Sequence, residues 1–84
     1  MKVYLAYVTT DWSQSMQLFR KEEDAESYIR QEAKRLMINM EKDLMLLECR
    51  DYNKRLCLDI MYKDEDDPEY ERYAELHVTE RKLK

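Results

Sequence analysis

The chain has 84 residues, 40% of them charged and 44% hydrophobic, carries a net charge of −4, and contains no glycine. This length supports one domain spanning residues 1–84, and the apolar content excludes general disorder. The lack of glycine excludes phosphate-cradling loops, dinucleotide turns and calcium loops of the familiar kinds, because each needs backbone at positive φ or close against a ligand.

The elements follow in chain order. Lys2 to Thr9 reads as a strand with Val3, Leu5 and Tyr7 on one face and Tyr4, Ala6 and Val8 on the other. Two apolar faces predict a central strand, covered on at least one side. Thr9 to Ser15 is a polar turn with Trp12 near its tip, and Met16 to Arg20 returns antiparallel. The period then changes. Glu22, Glu23 and Asp24 open a helix, where the macrodipole favours acids. Ala25, Ile29, Ala33, Leu36, Met40, Leu44 and Leu47 continue at helical spacing, which predicts one long helix running to Asp51, with Asn39 as the place for a kink. Leu44-Met45-Leu46-Leu47 would be apolar all round such a helix, so a homodimer through that stretch is expected.

Leu56, Leu58, Ile60 and Tyr62 alternate with polar or smaller residues as a third strand, followed by an acidic turn over Lys63 to Pro68. Asp67-Pro68-Glu69 fits a helix start, yet Ala74, Leu76 and Val78 alternate as in a half-buried strand. A fourth strand from Arg72 to Arg81, with at most one helical turn before it, is the reading adopted. The fold class is therefore α+β, a four-stranded antiparallel sheet in ββαββ order with one long helix on a face.

The segments "MKVYLAYVTT … QLFRKEEDAESYIRQEAKRL" and "YAELHVTERKL" cover about half the chain and resemble a pattern of small uncharacterised phage and bacterial proteins. The likeness lies in a second strand ending at Phe19, a helix opening with Asp24, Ala25 and Tyr28, and a closing strand of alternating charged and apolar residues. It implies a dedicated inhibitor of a host or defence protein, acting in the host cytoplasm. The apolar run Val3 to Val8 is too short for a signal-peptide core and no stretch has the length of a membrane span, so a cytoplasmic location without membrane contact is expected.

The chemistry of enzymes is thinly represented, and no catalytic role is expected. His77 is the one histidine, on the polar side of its strand, where solvation is its simplest state. Cys49 and Cys57 stand eight positions apart, matching neither a C-x-x-C pair nor a zinc knuckle. They read as buried reduced thiols, and a disulfide between them would need Cα atoms within about 7 Å. Asp64, Asp66 and Asp67 offer carboxylates to a hard cation but lack the sharp glycine turn, so no metal or cofactor is expected.

Charge placement is more telling. Residues 59–75 carry eight acids against Lys63 and Arg72. Such a lobe repels nucleic acid and attracts basic protein surface. Trp12, Asp64, Glu65, Asp66, Asp67, Glu69, Tyr70 and Tyr73 are the expected contact residues for a protein target with a basic, nucleic-acid-binding site, which they would block by mimicry. The alternative is an RNA-binding accessory module built on Arg50, Tyr52, Lys54 and Arg55, with Arg81, Lys82 and Lys84 nearby. The same cations could instead complement a helix C-terminus.

Overall fold

A computed structural model describes residues 1–38, 40, 43–66 and 68–83. Five strands and one helix run along the chain: β1 (Lys2–Thr10), β2 (Gln14–Phe19), α1 (Glu22–Ile38), β3 (Asp43–Arg50), β4 (Leu56–Lys63) and β5 (Glu71–Lys82). The strands form one sheet in the order β2-β1-β5-β4-β3, every pair antiparallel. The class is α+β, as the sequence predicts, but the sheet has five strands rather than four. The segment before β5 is not helical at Pro68 and Glu69.

The additional strand comes from the second half of the expected helix, since α1 stops at Ile38 and Asp43–Arg50 pairs with β4. Geometry explains the change. At 1.5 Å per residue the 17 residues of α1 span about 25 Å, which matches an eight-residue strand at about 27 Å. A longer helix would overshoot the sheet with its apolar stripe in water, and β4 would keep an unpaired edge. Leucine and methionine favour helices only weakly, and edge pairing outweighs that preference. Asn39, the expected kink position, lies outside the described residues.

Alternation divides the sheet into two unlike faces. Toward α1 point Ala6 and Val8 of β1, Leu56, Leu58 and Ile60 of β4, and Ala74, Leu76 and Val78 of β5, closing over Ala25, Ile29 and Ala33 of the helix. Two alanines in that helical stripe let the backbone approach the sheet closely, and Ile29 fills the space between them. On the other face no helix lies over the strands. Val3 and Leu5 are nevertheless buried there, shielded by their strand neighbours Leu18, Thr79 and Arg81. The expectation of a central β1 with two apolar faces holds.

The β3–β4 connection shows how the chain manages without glycine. Asp51 Oδ1 accepts hydrogen bonds from the backbone N–H groups of Asn53 (2.8 Å) and Arg55 (2.9 Å), forming an Asx turn. The next residue in the turn, Lys54, takes φ = 64°, the left-handed region that side chains with a Cβ disfavour. Lys54→Gly should therefore stabilise the protein by about 1 kcal/mol in urea unfolding. Ile29→Ala, which empties the helix–sheet interface, should cost about 2–5 kcal/mol in the same measurement.

Candidate functional site at the acidic end of the sheet

The register brings the two distant segments of the predicted contact surface together. Thr10 at the end of β1 pairs with Ala74, while Tyr62 near the end of β4 pairs with Glu71. The β1–β2 turn and the 64–70 segment thus project from the same end of the sheet. Thr10 shapes the first of them. Its N–H donates to the Ser13 carbonyl at 2.8 Å, and its Oγ1 accepts from the Ser13 N–H at 3.1 Å. This closes a tight turn that leaves Trp12 80% exposed at the tip. Asp11, Asp64, Glu65, Asp66, Pro68, Glu69 and Tyr70 are exposed at the same end. Asp67 lies outside the described residues.

Tyr73 is a correction. A bulge between Ile60 and Met61 leaves it without a partner on β4 and turns it onto the core, edge-on to Tyr62 with ring centroids 6.4 Å apart. It is half-buried, so it supports this end rather than presenting a ring from it. Tyr62 donates its hydroxyl to Glu71 at 2.7 Å, and that carboxylate, together with burial, holds its pKa up at about 12. Lys63 lies over the Tyr70 ring at 5.9 Å. An open-sided hollow of about 190 Å³ beside the turn is lined by Thr9, Asp11, Arg72, Tyr73 and Glu75, among others. Of the seven tyrosines, Tyr52 and Tyr70 alone are fully surface residues, and the rest are at least half-buried.

The opposite end gathers the cations of the alternative reading, and there the structure differs from the expected helix C-terminus. These residues surround the start of α1. Arg55 donates to Glu22 and, at 2.5 Å, to Glu80, while Lys2 reaches Glu80 at 3.1 Å. Arg50 donates to Glu26 at 2.9 Å, and Arg30 pairs with Glu48. Two of the four proposed RNA contacts, Arg50 and Arg55, are thus engaged by carboxylates. Tyr52 is wholly exposed and Lys54 sits in the turn beside it. Lys84 lies outside the described residues.

Arg55 and Lys2 hold Glu80 below the usual carboxylate range, Arg55 contributing most and then Lys2. A carboxylate with a depressed folded-state pKa contributes stability above its unfolded value, near 4.3, and loses it as the pH falls through the folded value. Glu80→Gln should lower Tm at pH 7 and converge with the parent protein toward pH 3, measured by circular dichroism melts across that range.

His77 is not the solvated residue expected. Its ring stacks on Tyr7 with centroids 4.9 Å apart and planes at 16°, and its Nδ1 is buried without a hydrogen-bond partner. Neither the hollow above nor a second one of about 300 Å³ beside Phe19 and Tyr28 includes it. Cys49 and Cys57 pair directly across β3 and β4, which places their Cα atoms about 4.5–5.5 Å apart, and both are free thiols. Cys49 is exposed rather than buried, because β3 is an edge strand with no helix over that face. The β3–β4 hairpin, in place of the expected helix, is what aligns two cysteines eight positions apart. Among the described residues no helix is long and apolar enough to cross a membrane. Comparison with known protein families, with curated proteins and with solved structures returns no match.

Proposed function

We propose that this protein is a non-enzymatic, protein-binding inhibitor that docks its acidic end onto a basic, nucleic-acid-binding site of its target. The observation that carries the reading is the convergence of Trp12 with the 64–70 segment. An exposed tryptophan and an exposed tyrosine set among carboxylates combine interface anchors with a field that steers toward cations. The likeness to small phage proteins favours inhibition of a host or defence factor over other uses of such a surface. The RNA-binding alternative rests on Lys54, Tyr52 and the C-terminal lysines, and it is the weaker reading because Arg50 and Arg55 already have carboxylate partners.

The test is affinity capture from nuclease-treated lysate of the source cell, followed by binding titration with the purified target. Reversal of Asp64, Asp66 and Glu69 to lysine should weaken binding at least tenfold and flatten its salt dependence, and Trp12→Ala should cost about 2 kcal/mol or more. Capture that disappears with nuclease, or affinity indifferent to the reversal, would discard the proposal in favour of RNA binding or another surface.

Self-association belongs to the same proposal, with its location moved. Leu46 and Leu47 are on an edge strand, 42% and 45% exposed, so copies would meet through β3 rather than through a helix. Leu47→Lys should shift any dimer to monomer in sedimentation equilibrium. An unchanged mass distribution would remove β3 as the contact.

A further inference from the structure

The face of the sheet away from α1 carries a cross-strand array that sequence spacing does not reveal. Along one rung the register aligns Met16, Tyr7, His77, Cys57 and Cys49, one residue from each strand. The next rung contains Glu75 of β5 directly opposite Asp59 of β4. The donor atoms of Cys57, Asp59 and Glu75 all lie within 4.8 Å of one another. We propose that Cys57, Asp59 and Glu75 bind a thiophilic divalent cation of the zinc class, with solvent taking the fourth position.

Three independent features support this site. Two carboxylates directly opposite on neighbouring strands repel, and such pairs are normally avoided. Here the pair is compensated by Arg72, whose Nε is 3.6 Å from Asp59 and whose Nη1 donates to Glu75 at 3.2 Å. The Arg72 side chain is 58% exposed and can leave without vacating a packed position. Next, Asp59 Oδ1 is buried without a hydrogen-bond partner, an unusual state for a polar atom that a metal would end. Third, the donor chemistry is mixed, thiol and carboxylate rather than oxygen alone. Tetrahedral bonds of about 2.0–2.3 Å place ligand atoms about 3.5 Å apart, so the observed triangle needs to contract by roughly 1 Å, within the reach of side-chain rotation. The sheet fixes the backbone positions.

A cation gains a thiolate ligand at Cys57 by displacing the thiol proton. The exchange is Cys57–SH plus M²⁺ giving Cys57–S⁻–M²⁺ plus H⁺, with no change of oxidation state.

Titration of the reduced, chelator-treated protein with Co²⁺ tests the site, with Zn²⁺ as competitor. Expected is a thiolate-to-cobalt charge-transfer band in the near ultraviolet that saturates at one equivalent and is displaced by Zn²⁺. Cys57→Ser should abolish the band. Glu75→Gln, which relieves the repulsion with Asp59 and so keeps the metal-free fold intact, should weaken Zn²⁺ binding at least tenfold and remove the Zn²⁺-induced rise in Tm. The double variant Asp64→Asn with Asp66→Asn in the acidic segment should bind as the parent does. Absence of the band in the parent protein overturns the proposal. So does a band that survives both Cys57→Ser and Glu75→Gln, or one lost with the acidic-segment variant instead. Since neither Trp12 nor residues 64–70 take part, failure here leaves the protein-binding reading untouched, and the reverse also holds.

Discussion

One 17-residue helix must seal a five-stranded sheet, and a single helix can do so on one face only. Most other features of the molecule follow from that limit. The covered face takes small and branched residues: four alanines from the strands and helix stripe against Ile29, Leu58, Ile60, Leu76 and Val78, all almost fully buried. Burial of these side chains supplies the dominant favourable term in folding a domain of this size. The uncovered face must coexist with water, and its outer strands show Met16, Leu18, Met45 and Leu47 partly exposed. Its interior rows, screened by their neighbours, are neither wet nor dry. That intermediate setting is where Asp59 Oδ1 and His77 Nδ1 come to sit buried without a hydrogen-bond partner.

Charge is sorted along the strands in the same economical way. The helix begins at the end that holds Arg50 and Arg55, and its pairs with β3 then run from Glu26–Arg50 to Arg30–Glu48, toward Asp43. Its acidic first turn therefore meets the cations, and those opposite charges neutralise each other locally. The helix C-terminus, with its partial negative charge, points to the end where Asp64 to Tyr70 project. Near that end Lys63 lies over Tyr70, and Arg72 is turned to Asp59 and Glu75. The carboxylates around the start of the helix are thus paired locally with Arg50, Arg55 and Lys2. Surface pairs of this kind add little stability individually, but they determine which charges remain available to a partner.

Much of this was legible in the sequence. Alternation located β1, β2, β4 and β5 to within two residues at their ends, and the acidic opening of α1 fixed its start. Leu44 to Leu47 was misread because leucine, methionine and glutamate lack the β-branching that marks strands, and their spacing satisfies both periods. That one error concealed the strand register, and register is what makes a partner of Cys49 for Cys57 and of Cys57 for His77. Trp12 and the acidic segment were each visible as local features. Their proximity was not, since it depends on pairing between Thr10 and Ala74, residues far apart in the chain.

Arg72 joins the two surfaces. Its guanidinium neutralises Asp59 and Glu75 on the bare face, while its stem and Glu75 also line the hollow beside Asp11 at the acidic end. A cation held by Asp59 and Glu75 would take both carboxylates from it. The freed guanidinium, on a long exposed stem, would then seek the nearest remaining acids, and these are at the end of the sheet. A positive charge added there opposes a basic partner, at about 1 kcal/mol for a pair of like charges 4 Å apart in water and more where water is excluded. If both proposals hold, cation loading would oppose docking through this single side chain, without any movement of the strands that hold it.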